Sequence, residues 1–372
     1  MKKVLMLGPV PPPYGGIAAV MDTILHSSLT KDYSFDIFER EGIFPPGYSW
    51  FIGKNVFRLK RFLRFFKELC EKHYDFIHLQ SVFNGSFSGT IIFMLIARLT
   101  QTKILLHLHG TDWDTWYTRA SKWKQFRNRT ALRIPSQILV LYKVWQTNIN
   151  SLIPNAEVHV LGNWIEMREA PDSTEVQQAK RDLGISKEIF TVITVGFVGW
   201  RKGSYDILDA VPVVAQACDS VRFIFVGGEE YSGEIGPFNE RVQNENLGKW
   251  VLFTGEVPRE KVPGYLACAD VFLLPSHREG MPISIIEAMR GGVPIISTLV
   301  GAIPEMIENG TSGILINPGA PDEIAEAVLS LKRDDSLRRR LAEGSRRAFE
   351  EKYEISKGIH ELASVYRSMC SE

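Results

Sequence analysis

The 372-residue chain is too long for one hydrophobic core and suits two domains of roughly 150 to 200 residues each. With 45% hydrophobic and 23% charged residues, the composition excludes a disordered or fibrous protein. Net charge is zero, but residues 1–165 hold 20 Lys and Arg against 11 Asp and Glu, which leaves 23 against 32 in the remainder and predicts an attraction of the first half to anionic surfaces.

Short β-branched runs alternate with amphipathic stretches in the first half, a pattern typical of βαβ units and parallel sheets. The predicted strands are residues 4–7, 34–38, 76–79, 103–107, 137–141 and 157–161. The apolar run 4–7 is soon interrupted by prolines, so we interpret it as a buried strand and not as a signal peptide. The longest later apolar stretch, 90–99, is about half the ~20 residues that span a bilayer. The sequence therefore predicts no membrane span.

Gly15 and Gly16 follow the first strand in a proline-rich loop, before a helix predicted from about Ile17. Glycines there let the backbone approach a ligand closely. The alternative is a simple turn.

Residues 50–72 predict a basic amphipathic helix. At 100° per residue the apolar half contains Leu59, Phe62, Leu63, Phe65, Phe66, Leu69 and Cys70. The basic half contains Lys60, Arg61, Arg64 and Lys67. One interpretation is a helix packed on the first sheet. The surplus of aromatic residues, with Phe57 in the basic sector, favours binding to an anionic membrane surface, and the basic residues near Trp123 would extend the patch.

Histidines and acidic residues cluster near the fourth strand. His78 and His107 are predicted to be buried within their strands. Asp112 and Asp114 form a D-x-D that could hold a divalent cation, but the strand context for such a site is missing. We therefore expect no metal site here.

The second half repeats the βαβ pattern. Its predicted strands are residues 190–195, 222–226, 250–254, 271–274, 294–297 and 313–316. Residues 166–175 read as a linker, and residues 322–368 as two helices. Four scattered cysteines, without a C-x-x-C pair, favour a reducing compartment over disulfides or a zinc site. Two doubly wound domains predict a ligand site in the cleft between them.

The stretch 273–294 runs from a buried strand through a loop into a short helix. Pro282 suits the first turn of that helix, and Gly292 suits its end. Glu279 then lies in the loop and Glu287 about one turn inside the helix. Backbone N–H groups at the positive helix terminus suit a diphosphate, and two carboxylates can accept hydrogen bonds from sugar hydroxyls.

This segment closely resembles the signature E-G-x-P-x-x-x-x-E-A-x-x-x-G-x-P of family-four glycosyltransferases of the GT-B fold. The matching residues are Glu279, Gly280, Pro282, Glu287, Ala288, Gly292 and Pro294. The resemblance implies that Glu279 contacts the donor sugar and Glu287 the ribose. The phosphates would then lie against Gly280, Met281, Pro282 and Ile283.

A second resemblance lies at 195–203. The family carries an arginine and, five or six residues later, Lys-Gly, whose cations neutralise the leaving diphosphate. Lys202 and Gly203 match, whereas Phe197 occupies the arginine position. We expect Arg201 to take that role, because a guanidinium can grip phosphate oxygens beside the lysine. Two unpaired cations at a helix start would oppose the helix dipole.

Weaker resemblances cover most of the chain. Gly15 and Gly16 match a loop facing the donor phosphate and acceptor, and His109 matches a histidine close to the reacting sugar. Val257 lies in a matching Gly-Glu-Val segment on the donor side. Residues 351–372 resemble a terminal helix that crosses back to the first domain.

The resemblance implies an α/β protein with two Rossmann-like doubly wound domains facing a central cleft. Residues 1–165 would bind the acceptor and residues 166–350 the nucleotide sugar. The implied activity is a retaining, metal-independent transfer from a UDP- or GDP-sugar to a glycan or lipid-linked acceptor, without a cofactor. We expect a cytoplasmic enzyme at the inner face of the membrane, serving surface polysaccharide synthesis, with no nucleic-acid partner. A GT-B sugar-nucleotide epimerase, a phosphorylase and a non-catalytic sugar-nucleotide-binding subunit are the alternatives.

Overall fold

The computed structural model describes residues 1–9, 16–39, 50–82, 87–111, 113–186 and 188–371, with side chains for all of these except residues 16, 50–55, 114 and 115. The chain divides into two compact domains. The first consists of Met1–Asn163 and Ser356–Glu372, and the second of Trp164–Ile355. These divisions fall at residues 163 and 355, where the sequence predicted 165 and 350.

The first domain is built on a six-stranded parallel sheet. Its strands are β1 (Lys2–Gly8), β2 (Tyr33–Glu39), β3 (Phe76–Val82), β4 (Lys103–His109), β5 (Gln137–Val140) and β6 (Val158–Val160). They lie in the order β2-β1-β3-β4-β5-β6, and all six strands predicted from the sequence are confirmed. The helices between them are α1 (Gly16–Leu25), α2 (Trp50–Glu71), α3 (Phe87–Leu99), α4 (Lys122–Ala131) and α5 (Lys143–Leu152).

The second domain has the same architecture. Its strands are β7 (Phe190–Val195), β8 (Val221–Val226), β9 (Val251–Phe253), β10 (Val271–Leu274), β11 (Ile295–Thr298) and β12 (Ile314–Ile316). They form a second parallel sheet in the order β12-β11-β10-β7-β8-β9, and these six predicted strands are also confirmed. The helices are α6 (Ser173–Leu183), α7 (Ser204–Ala217), α8 (Ile235–Asn244), α9 (Val262–Leu266), α10 (Ile283–Gly291), α11 (Ile303–Met306), α12 (Pro321–Arg333) and α13 (Asp335–Ala348).

A last helix, α14 (Ile355–Ser371), contributes all but its first residue to the first domain. The two faces of the first sheet are covered by different helices. Phe38 of β2 packs 5.2 Å from Phe65 of α2 and 6.2 Å from Phe93 of α3. Tyr33, five residues earlier on the same strand, faces the opposite side. There it packs edge-on against Tyr366 of α14 at 5.1 Å.

Three predicted boundaries were wrong. The predicted linker ends early, because Asp172 and Glu175 form a capping box that starts α6 at Ser173. Residues 322–368 contain parts of three helices and not two, with a π-helical turn at Phe349–Tyr353 between α13 and α14. Pro282 is the extended residue preceding α10 and does not lie within its first turn.

Helix α2 occupies its predicted span, but only some side chains of its apolar half are buried. Phe65 and Leu69 are buried, and Phe62 packs 5.0 Å from Phe93. Phe57, which the sequence placed in the basic sector without a packing role, lies 4.7 Å under the Arg61 guanidinium. Part of the predicted membrane-facing set therefore belongs to the core. Within the described ranges, no helix is long and apolar enough to cross a membrane.

Candidate functional site

The turn after β7 carries the predicted phosphate-binding cations. Trp200–Lys202 forms a single 3₁₀ turn that ends at Gly203, whose φ of 71° lies in the left-handed region. A Cβ at Gly203 would lie 2.1 Å from the carbonyl oxygen of Pro275, in the loop after β10. Glycine therefore permits two loops from neighbouring strands to touch. The backbone N–H of His277 donates to the Arg201 carbonyl at 2.9 Å and fastens them together.

The close approach joins Lys202 to Glu279. The Lys202 Nζ donates to Glu279 Oε1 at 2.6 Å, and the Ser276 hydroxyl donates to the same oxygen at 2.8 Å. The Glu279 side chain is only 5% exposed and that of Lys202 13%. Arg201 Nη1 lies 3.7 Å from Glu279 Oε2, while its Nε donates to Glu230 at 2.5 Å. We call Arg201, Lys202, Glu230, Ser276 and Glu279 the Lys202 cluster.

The Lys202 cluster brings together three of the predicted catalytic residues, as two cations held by two carboxylates. Sequence reasoning missed Glu230 and Ser276. Glu230 directly follows Gly227-Gly228-Glu229, which resembles the family, but nothing in the sequence distinguishes it from Glu229. The structure does, because Glu229 accepts the N–H groups of Gly233, Glu234 and Ile235 at the start of α8.

The first turn of α10 lies directly after Glu279. Pro282 precedes the helix, no side chain caps it, and its first residue is Ile283. Gly301, at φ 58°, packs against this loop so closely that a Cβ would lie 2.1 Å from the Glu279 carbonyl oxygen. Met281 is buried. The backbone from Gly280 to Ile283 thus forms a packed loop leading to the positive end of a helix.

Glu287 lies within α10 and is nearly buried. Burial raises the pKa of its carboxyl group, against the opposing effect of Arg259, Arg290 and Arg168. The Arg259 Nη2 atom lies 3.7 Å from Glu287 Oε1. Arg259 follows Val257 in the loop after β9, which places that loop on the same side of the domain as Glu287. An inward-facing carboxylate with nearby cations suits hydrogen-bonding to ligand hydroxyls.

A second pair, His277 and Asp206, adjoins the Lys202 cluster. His277 Nε2 lies 2.6 Å from Asp206 Oδ2, in the first turn of α7. The His277 ring also stacks on Trp200, with ring centroids 4.5 Å apart. Burial raises the pKa of Asp206, with His277 acting in the opposite direction. Sequence reasoning did not single out either residue, because the pairing depends on a contact across 71 positions.

In the first domain, His109 ends β4 and is buried. Its Nε2 lies 2.6 Å from Gln80 Oε1, so the ring donates its proton to the amide oxygen. The Gln80 amide nitrogen lies 3.1 Å from His78 Nε2, which therefore accepts. His78 Nδ1 must then carry the proton, and it donates to the Tyr366 hydroxyl at 2.8 Å. His107 Nδ1 donates to His78 as well, at 3.3 Å.

This histidine network fixes the tautomer and the charge of His109. Burial lowers the pKa of His109 and of His78 to about 3, and it also lowers the pKa of His107 well below its ordinary value. All three rings are therefore neutral at physiological pH. The predicted burial of His78 and His107 is confirmed. His109 is left with Nδ1 as an acceptor, which suits a hydrogen bond from a hydroxyl group.

Two predicted features lie largely outside the described residues. Gly15 is not among them, and Gly16 is described only as the first residue of α1. Asp112 is also outside, and Asp114 is described only as the start of a π-helical turn, Asp114–Thr118. The part of the chain with described side chains contains no group of three His, Cys, Asp or Glu residues arranged to hold a metal ion.

Comparisons with known proteins bear on the second domain first. Residues 175–348 match the family model described as glycosyl transferases group 1. The N-acetyl-alpha-D-glucosaminyl L-malate synthase of Bacillus anthracis is 28% identical over 71% of this chain and 67% of that enzyme. A second relative, from Escherichia coli, is the UDP-Gal:alpha-D-GlcNAc-diphosphoundecaprenol alpha-1,3-galactosyltransferase. It is 24% identical over 84% of this chain and 80% of that enzyme.

A solved structure extends the likeness to the entire fold. Anabaena HepE, in complex with UDP and glucose, is 18% identical and matches with a TM-score of 0.76 over 99% of this chain and 100% of HepE. Together with the two six-stranded parallel sheets, this likeness confirms the fold predicted from the sequence, two Rossmann-like domains of the GT-B type.

Proposed function

We propose that this chain, whose residues 175–348 match the family model of the group 1 glycosyl transferases, transfers a sugar from a UDP- or GDP-sugar to a glycan or lipid-linked acceptor. The transfer retains the anomeric configuration and needs no metal ion. The Lys202 cluster carries the proposal. It holds a lysine and an arginine, both largely withdrawn from water, next to the loop that leads into α10.

The cluster suits the charge that develops as the donor reacts. When the bond between the sugar and the diphosphate breaks, negative charge collects on the leaving oxygen, and preorganised cations lower the barrier. Lys202, Arg201 and the N–H groups at the start of α10 supply positive charge. In the resting protein Glu279 and Glu230 hold the two cations in place. A bound diphosphate would share them with these carboxylates.

Retention follows from an attack on the same face that the diphosphate leaves. The acceptor oxygen forms its bond to the sugar as the bond to the leaving phosphate breaks. The acceptor proton passes to that phosphate oxygen, so no protein group is assigned as general base. Glu279 would accept a hydrogen bond from the donor sugar and Glu287 from the ribose. His109, neutral and with Nδ1 as an acceptor, suits a sugar hydroxyl.

A lipid-linked acceptor is supported by the E. coli relative, which is named for its action on a diphosphoundecaprenol-linked sugar. An acceptor of that kind would place the reaction at the cytoplasmic face of the membrane, in the synthesis of a surface polysaccharide. The excess positive charge of residues 1–165 is favourable for an acceptor that carries phosphates.

The test is a panel of UDP-, GDP- and ADP-sugars, scored first by thermal stabilisation. A donor at 100 times its Kd stabilises the folded state by about 2.7 kcal/mol. For a domain of this size that raises Tm by roughly 5 to 10 °C. The stabilising donor is then incubated with the protein and an excess of EDTA, and release of nucleoside diphosphate is measured. Slow release supports a transferase. Stabilisation without release indicates a binding subunit, and stabilisation by no member contradicts the proposal.

A further inference from the structure

Three neighbouring helices of the first domain present apolar side chains to solvent. They are Val56, Leu59, Leu63 and Phe66 of α2; Ile92, Leu95 and Leu99 of α3; and Trp123 and Phe126 of α4, each between 40% and 76% exposed. We call these nine residues the apolar face. They are half of the eighteen large apolar side chains that are exposed among the described residues. Such a concentration on a folded domain indicates a binding surface.

The spacing of these residues excludes an accident of helix packing. On α2 they follow at intervals of three and four residues and span roughly 80° of the circumference at 100° per residue. The core-facing side of α2 is the adjoining sector, which contains Phe65 and Leu69. The apolar half of α2 therefore consists of two adjoining stripes, one that faces the sheet and one that faces solvent. A helix that only covers a sheet needs the first alone.

The three helices lie side by side. Phe62 of α2 packs 5.0 Å from Phe93 of α3, and Arg127 of α4 donates to Ser88, at the start of α3, at 3.1 Å. Right-handed crossovers between the parallel strands place the helices that follow β2, β3 and β4 on one side of the sheet. The exposed apolar side chains of α2, α3 and α4 therefore belong to one surface.

Positive charge surrounds this surface. Helix α2 carries six Lys and Arg, α3 one and α4 four, and the three helices together contain only two acidic residues, Glu68 and Glu71. Lys60 and Lys67 border the solvent-facing stripe of α2, and both are exposed. Glu68 is already paired with Lys72, and Glu71 with Lys67. The apolar face is therefore bordered on α2 by cations, and the charge of its three helices is almost entirely positive.

We infer that the apolar face docks on an anionic lipid bilayer. Leucine, phenylalanine and tryptophan beside lysine and arginine are the composition of helices that lie in the membrane interface. The apolar side chains would enter the acyl boundary while the lysines reach the phosphate groups. A second copy of the chain is disfavoured as occupant, because it would bring the same positive charge to the contact. The inference does not depend on the proposed reaction.

Flotation of the purified full chain with vesicles tests it. The vesicles are phosphatidylcholine alone or with about a third phosphatidylglycerol, at low and high salt. We expect flotation with the anionic vesicles at low salt and loss of it at high salt. Binding to neutral vesicles as tight as to anionic ones, or no flotation at all, overturns the inference. Donor stabilisation and diphosphate release are measured separately, so failure of one proposal leaves the other standing.

Matched variants locate the surface. Lys60→Gln with Lys67→Gln should weaken binding about 25-fold, since each cation near anionic lipid contributes about fivefold. Leu59→Ser with Leu63→Ser should weaken it at least about tenfold. The charge control is Lys31→Gln with Lys357→Gln, two exposed lysines of the same domain away from the three helices. Equal losses in variant and control, or a dimer that Leu59→Ser with Leu63→Ser dissociates, would show that lipid is not the occupant.

Discussion

Replacing Lys202 with methionine tests whether this lysine serves the reaction or only neutralises Glu279. The Lys202 side chain is 13% exposed and that of Glu279 5%, and Lys202 Nζ donates to Glu279 Oε1 at 2.6 Å. Removal of the cation therefore leaves a buried carboxylate without its ion-pair partner. Breaking such a pair costs up to about 5 kcal/mol. The Ser276 hydroxyl at 2.8 Å and Arg201 at 3.7 Å remain, so we expect Lys202→Met to lower the free energy of unfolding by about 3 kcal/mol.

The double variant Lys202→Met with Glu279→Gln removes both charges and keeps an oxygen to accept the Ser276 hydroxyl. Its free energy of unfolding should return to within about 1 kcal/mol of the original. Its activity should not return. Without the cation at the leaving group, diphosphate release is expected to fall about 100- to 1,000-fold in both variants.

The measurements are urea unfolding and diphosphate release from the stabilising donor. The control is Lys249→Met, which breaks an ion pair with Asp219 that is open to solvent and should change neither quantity appreciably. Recovery of activity in the double variant would refute the catalytic reasoning, because Lys202 would then act only on Glu279. Activity within twofold of wild type in Lys202→Met would refute it as well.

Three further predictions follow from the site. Gly203→Ala should lower the free energy of unfolding by more than Gly310→Ala, because both positions have positive φ but only the new Cβ at position 203 would lie 2.1 Å from a carbonyl oxygen. Urea unfolding of both variants measures the difference, and equal losses would contradict the close approach. Because the pKa of Glu287 is raised, its carboxylate should protonate at a higher pH than an ordinary glutamate, so donor affinity should fall as pH drops through that pKa. Glu287→Gln should bind the donor about tenfold more weakly and with a flatter pH profile. A pH profile of donor binding that the substitution leaves unchanged would contradict the ribose role. A chelator should leave diphosphate release intact, whereas loss in EDTA with rescue by manganese would make Asp112 and Asp114 metal ligands.

The fold could be predicted from the sequence because its signals are local. Buried parallel strands such as Val271–Leu274 are continuous apolar runs, and they are separated by helical periodicity. Gly292 ends α10 with a φ of 62°, as its position suggested. The start of α6 at Ser173 could also have been predicted from the sequence, since Asp172 and Glu175 have the spacing of a capping box.

The remaining features depend on contacts between distant residues. The pairing of Lys202 with Glu279 spans 77 positions, and that of Arg201 with Glu230 requires two loops to meet. Periodicity identified the apolar half of α2, but it could not tell which side chains face the sheet. Phe65 and Leu63 differ by two positions, yet one is buried and the other is 58% exposed. Only the position of the sheet decides between them.

Helix α14 bears on the order in which the chain can fold. Tyr366 fills the first domain between Tyr33, Phe76 and His78, yet the entire second domain separates it from them along the chain. On the ribosome, residues 1–163 would emerge with this side of their sheet uncovered, and the aromatic residues there would stay exposed to water until residues 356–371 have been synthesised. Residues 164–355 are continuous and can fold meanwhile. This domain is thus completed only after residues 164–355 have been made, and until then its unfinished form is exposed to chaperones and proteases.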